Sequence, residues 1–284
     1  MNCNNSYTPL EWILKVSGFD YSELIKDYKD FCDGGSVECL FVPEVKEPVK
    51  VPDLPINEIN LFDQNQLSFY QNNKIVKLAL EFLKARKLDI AVNKPLKYFI
   101  SLDDRLHKNR LIIPFYNENN VVLNYQTRDL MNSGIRYLTK IGGSSCLFNY
   151  NNIDRDYDYI FLFEGPFDST FIKNGVAIGG IQENNNKLFK GVQHEQIKSY
   201  PFHKKIWVLD SQHQDRAAYN KSIRLLQNNE SVFIWPRRIG QMCKDFNDIA
   251  VLGYMQHITP EWIIKNTFIG GEGVLKLKNY NISF

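Results

Sequence analysis

Apolar and polar positions change their spacing several times along the chain, and each change predicts an element. Over residues 8–15, Leu10, Ile13 and Leu14 recur at helical spacing behind Thr8-Pro9, a cap followed by a first-turn proline. Residues 21–31 repeat that period through Leu24, Ile25 and Tyr28. Residues 42–56 carry four prolines among small apolar and charged residues, which no helix survives, so an extended linker is expected over 42–60. Residues 74–86 place Ile75, Ala79, Leu80 and Leu83 on one face and basic residues on the other, an amphipathic helix. Short apolar runs at 111–115 and 121–125 flank Asn117-Glu118-Asn119-Asn120, a hairpin signal.

The rhythm then alters. A continuous apolar run, Tyr159–Phe163, is followed by a helix-compatible stretch at 167–173 and a short strand at 176–178 that ends on Gly179-Gly180. A strand at 206–209 precedes a helix at 215–227, and a fourth strand spans 231–235. Strands alternating with helices between 157 and 250 predict an α/β fold with a mostly parallel central sheet flanked by helices. The expected divisions are a helical segment at 1–41, the linker at 42–60, a small mixed α+β lobe at 61–150, the α/β domain at 151–250 and a closing helical segment at 251–284.

Composition narrows the function classes. The 284 residues are 44% hydrophobic and 13% aromatic, enough to build a large core. No apolar run approaches the ~18 residues of a membrane span, so no membrane partner is expected. Five cysteines (Cys3, Cys32, Cys39, Cys146, Cys243) form no CxxC pair, which suits a reducing compartment, and the cytoplasm is the expected location. The net charge of +2 hides an asymmetry: residues 1–73 hold 5 Lys+Arg against 12 Asp+Glu, a net −7, and the remainder holds 29 against 20, a net +9. The larger part can therefore take a polyanion.

Three acidic clusters fall at the predicted carboxyl ends of strands, where open parallel sheets bind ligands. Glu164-Gly165-Pro166-Phe167-Asp168 follows the first strand, Asp210 ends the third, and Lys244-Asp245-Phe246-Asn247-Asp248 comes after the fourth. Capping of the next helix is the commoner reason for one such acid, and Asp215 reads that way. Several gathered at one edge repel one another unless a hard divalent cation neutralises them.

At these residues the sequence resembles the Toprim domain, shared by bacterial-type primases, topoisomerases and several nucleases. The resemblance implies that Glu164 is the general acid/base, with Asp168 a catalytic helper. It implies that Glu164, Asp210, Asp245 and Asp248 hold Mg²⁺ or Mn²⁺. Two positions depart from the family's acidic pattern, Gln212 and Asn247; neutral amides supply no charge, so one metal is expected rather than two. The segments ALEFLKARKL, RLIIPFY, VLNYQTR and RYL resemble, in order, the mixed subdomain ahead of Toprim in DNA primases, with Arg110, Arg128, Arg136 and Lys140 as its nucleic-acid-binding track. Thr259 to Val274 resembles the closing segment of the primases of T4-like phages. Asn2-Cys3-Asn4-Asn5-Ser6 resembles the end of their zinc module, but Ser6 stands where a second cysteine is needed, so no zinc is expected here.

The resemblance thus implies RNA primer synthesis on single-stranded DNA from NTPs. A replicative helicase and possibly a separate zinc-module chain are its implied partners, and a host cytoplasm its location if the chain is phage-encoded. A Toprim-type nuclease, or a catalytically weak accessory binding DNA or helicase, are the alternatives.

Overall fold

The computed structural model describes residues 54–55, 57–131, 134–179, 189 and 191–282. The expected helices at 8–15 and 21–31, most of the proline-rich linker, and Cys3 and Ser6 lie outside the described residues. The chain divides into two compact units, Met1–Lys50 and Val51–Phe284, and every described residue belongs to the second.

Its first layer is an antiparallel sheet in sequence order: β1 (Glu58–Asn60), β2 (Phe99–Ser101), β3 (Arg110–Tyr116), β4 (Val122–Asp129) and β5 (Tyr137–Thr139). β3 and β4 are the expected hairpin, extended at both outer ends and shifted in register between Phe115 and Tyr116. β1 begins inside the region expected to be linker. It is three residues long with one buried side chain, Ile59, too short for an alternation to be legible. Helices α1 (Gln64–Phe69) and α2 (Lys74–Ala85) lie between β1 and β2. α2 starts where the Asn73 side chain accepts from the N–H groups of Ile75 and Val76, and it buries Val76, Ala79 and Leu83.

The second layer is the expected mostly parallel sheet. β6 (Tyr159–Phe163), β7 (Gly175–Ala177), β8 (Lys204–Val208) and β9 (Ser231–Phe233) run parallel in the order β9-β8-β6-β7, and β10 (Thr267–Ile269) adds an antiparallel edge beside β9. Helices α3 (Pro166–Ser169), α4 (Gln193–Lys198), α5 (Arg216–Gln227), α6 (Arg237–Met242), α7 (Phe246–Val251), α8 (Pro260–Lys265) and α9 (Gly270–Lys278) fill the connections. The helix expected over 167–173 is only one turn. Ser169 and Thr170 hydroxyls donate back to the carbonyls of Pro166 and Phe167, and Asn174 turns the chain with a φ of 54°. Asparagine tolerates this left-handed backbone better than most residues.

The two layers share one hydrophobic core running from Ile59 and Leu111 through Phe161 and Phe163 to Trp235 and Ile263. Phe148 and Ala177 pair backbone to backbone across the junction, and Gln126 Nε2 donates to the Gly179 carbonyl at 3.1 Å. Among the described residues no helix is long and apolar enough to cross a membrane.

Candidate active site

A pocket of about 410 Å³ opens at the carboxyl ends of β6 and β8. The sequence dictates its floor. β6 is an apolar run of five that is buried after its first residue, so the chain can turn polar only at its end, where Glu164 and Gly165 follow Phe163. Gly165 leaves room there: a Cβ would stand 2.9 Å from Asp168 Oδ2 and would push that carboxylate aside. Pro166 takes the first helical position, which directs Asp168 into the opening turn. β8 ends at Val208, and Asp210 stands two residues on.

The third acid is delivered by packing. Phe246, almost fully buried, sits edge-on to Phe163 at 5.2 Å and to Trp235 at 5.3 Å. Such pairs contribute roughly 0.5–1.5 kcal/mol each beyond area burial, and here they anchor the first turn of α7. Asp245, its N-cap, accepts from the Asp248 N–H at 2.7 Å, and Asp248 Oδ2 in turn accepts from the Lys244 N–H at 3.0 Å. This reciprocal box fixes the helix start and leaves Asp245 on the pocket wall. Glu164, Asp168, Asp210 and Asp245 all line the pocket, as the sequence expects. Asp248, also expected as a metal ligand, is not among the lining residues, and its Oδ2 is engaged by the Lys244 N–H.

The carboxylates burden one another. Asp168 is held well above the ordinary carboxylate range, first by loss of water, then by Asp245 and Asp210; the Asn247 N–H, 3.0 Å from Asp168 Oδ1, opposes the shift. Asp210 is pushed up to about 6 by burial and by Asp245, against the pull of Lys244. Asp245 is raised by burial, which its bond from the Asp248 N–H only partly offsets. Lys244 Nζ lies 3.5 Å from Asp210 and 3.2 Å from Asp215, while no Lys or Arg among the described residues pairs with Asp168 or Asp245. Arg86 and Lys244 pull Asp245 down in part, yet burial keeps it raised; carboxylates that raise one another are the donor type that suits a hard divalent cation. Among the described residues no three His, Cys, Asp or Glu side chains are arranged to hold an ion as they stand.

The two departures from the acidic pattern have structural work. Gln212 is fully buried: its Nε2 donates to Ser222 Oγ and to the Phe233 carbonyl, and its Oε1 accepts from the Trp235 N–H. It joins β9 to the turn after β8 and faces no ligand. Asn247 grips Arg86, accepting from its Nη1 at 2.7 Å and donating to its carbonyl at 2.6 Å.

Of the four expected basic residues, Arg136 lines the pocket. Arg128 is buried, its guanidinium 4.9 Å from the Tyr137 ring and 6.0 Å from that of Phe82, with Nε and Nη1 meeting no hydrogen-bond partner among the described residues. Lys140 lies outside the pocket, 5.6 Å from the Tyr125 ring. Arg110 is not among the lining residues. It is buried, with Nε donating to Thr127 Oγ1 and Nη2 to the carbonyls of Thr127, Ile135 and Arg136, so it braces the β4–β5 connection. Arg86 and Lys244 were missed, though both line the pocket. Arg86 follows directly on the α2 pattern, and Lys244 adjoins Asp245, but no spacing rule singles out either.

No family model matches the chain. It is 28% identical to the DNA primase of Enterobacteria phage T4 over 158 residues, which is 55% of this chain and 42% of that protein. The match therefore spans less than half of that relative, and it bears out the resemblance to T4-like phage primases. Among solved structures, the Aquifex aeolicus primase (zinc-binding and RNA polymerase domains) aligns over 78% of this chain and 60% of its own, with 17% identity and a TM-score of 0.45. The primase fragment of the bacteriophage T7 primase-helicase aligns over 57% and 64%, with 15% identity and a TM-score of 0.38.

Proposed function

We propose that this chain is a DNA primase, which joins ribonucleotides into short RNA primers on single-stranded DNA. The observation that carries this reading is the pocket itself. Its floor holds four acids, Glu164, Asp168, Asp210 and Asp245, and Arg86, Arg136 and Lys244 line it with the Tyr137 ring. A polymerising site needs both halves, one for a cation and one for polyphosphate. When bound, Mg²⁺ or Mn²⁺ would be held by Asp210, Asp245 and Glu164, and would supply charge neutralisation for the nucleotide phosphates.

The chain's own groups do the rest. Glu164 takes the proton of the primer 3′-hydroxyl. Asp168, whose burial favours the protonated form, steadies the first turn of α7 through the Asn247 N–H. Arg86, fixed by Asn247, and Arg136 bind and orient phosphates, which positions a strand without reading its sequence. Since Gln212 and Asn247 both have structural partners, their neutrality is no sign of a decayed site. The proposed partners are single-stranded template, NTPs, the nascent RNA, a replicative helicase and a zinc-bearing chain in trans, in a host cytoplasm.

The test is synthesis by the purified chain with Mg²⁺ or Mn²⁺, labelled NTPs and single-stranded DNA. Oligoribonucleotides that vanish in Glu164→Gln are expected. Cleavage of the DNA without synthesis would reassign the site to hydrolysis, and binding without either reaction would make the chain an accessory.

A further inference from the structure

Arg86 is held at three points, and one side chain supplies two of them. It caps the C-terminus of α2, where the last carbonyls have no partner within the helix. Asn247 Nδ2, from the first turn of α7, donates to the Arg86 carbonyl at 2.6 Å. Asn247 Oδ1 accepts from Arg86 Nη1 at 2.7 Å. The third point is Phe82, whose ring centre lies 5.8 Å from the guanidinium carbon. Backbone and side chain of one arginine are thus gripped together, which removes much of the rotamer freedom that a long side chain would lose on binding a ligand.

Asn247 is itself fixed. It is 1% exposed, so water scarcely competes for its bonds, and its N–H donates to Asp168 Oδ1 at 3.0 Å. The cation held this way belongs to the pocket: Arg86 lines it, and its charge opposes the rise of both Asp245 and the Tyr137 hydroxyl, which line it too. The residue type at 247 decides what the grip does. An acid could accept from Nη1, but it has no N–H for the Arg86 carbonyl. It would also pair with the guanidinium and stand beside Asp168, which its acidic neighbours already raise.

We infer that Asn247 is the positioning residue of Arg86: its amide fixes the guanidinium without neutralising it, and so keeps a cation available to the polyphosphate end of a nucleotide. This rests on the phosphate-binding reading of Arg86 and adds the reason an amide suits position 247.

The experiment is calorimetric titration of the full chain with inorganic pyrophosphate in the presence of Mg²⁺, with thermal melting to verify folding. Arg86→Gln should bind about tenfold more weakly than wild type, as loss of a charged hydrogen-bonding group requires. Asn247→Ala, which leaves the backbone N–H to Asp168 in place, should bind about fivefold more weakly. The two together should bind within about twofold of Arg86→Gln alone, because residue 247 acts through the arginine. Asn247→Ser, with a shorter side chain that loses the double grip, replaces Asn247→Ala if the latter does not fold. Wild-type affinity in a folded Asn247→Ala or Asn247→Ser chain, or losses that multiply in the double variant, overturns the inference and leaves the phosphate reading intact. Failure of both variants to fold also overturns it, since residue 247 is then a requirement of the fold. Wild-type affinity in Arg86→Gln, or no uptake of pyrophosphate by the wild type, overturns the phosphate reading of Arg86 and the inference with it.

Discussion

Gln212 shows how far a single side chain's environment can override a family pattern. Restoring an acid there looks like a repair from sequence, yet Gln212→Asp would bury a carboxylate against the Phe233 carbonyl and Ser222 Oγ, with no amide left to donate to them. Removing one partner of a buried polar group costs on the order of 1–3 kcal/mol, and more when a charge is left behind. The expected outcome is a chain destabilised by about 2–4 kcal/mol in urea unfolding, with no gain in Mn²⁺ affinity. Asp168 makes the opposite case. A carboxyl held above its ordinary value binds its proton more tightly when folded, so it opposes folding as pH rises past the ordinary 3.8. Asp210, at about 6, acts in the same direction. Stability of the metal-free chain is thus expected to fall as pH rises, between about pH 4 and 6 through Asp210, with Asp168 acting in the same direction. Asp168→Asn should melt a few degrees higher than wild type at pH 8 without metal, with the advantage shrinking in acid; it should also lose activity.

At the scale of elements, the β4–β5 connection separates bracing from binding. Arg110 and Arg136 look alike in sequence, each just before or after an apolar strand. In the fold, Arg110 donates to three carbonyls and Arg136 lines the pocket. Arg110→Met should therefore unfold more easily, by about 2–3 kcal/mol, and any folded fraction should bind DNA normally. Arg136→Ala should leave the melting point in place, weaken single-stranded DNA binding, and lower the salt slope of log affinity by about 1. The strands β6 and β8 and helices α2 and α5 were legible because each is an uninterrupted apolar run or a clear 3.6-residue period. β1, β7 and the one-turn α3 were short, and their edges depend on Asn174, Ser169 and tertiary pairing rather than on local pattern. The acids at strand ends were legible for a topological reason, since parallel strands must end at one edge. Which of them faces the pocket was not, because capping and ligation use the same residue types: Asp245 caps α7 and lines the pocket, while Asp248 accepts from the Lys244 N–H and lies outside the lining.

Across the described residues, two sheets of different type meet on one core, and the pocket is lined from both. Asn247 reaches from α7 to Arg86 at the end of α2, and Gln126 from β4 to Gly179 after β7. Residues 74–284 carry a net +9, although four acids of that part line the pocket. The central claim is that this pocket joins nucleotides and does not cut strands. The most direct measurement is pyrophosphate release from NTPs by the full chain, with single-stranded DNA and Mn²⁺ each supplied or withheld. Release that needs both and disappears in Glu164→Gln is the predicted result. Free 5′-phosphorylated DNA fragments with no pyrophosphate would contradict it.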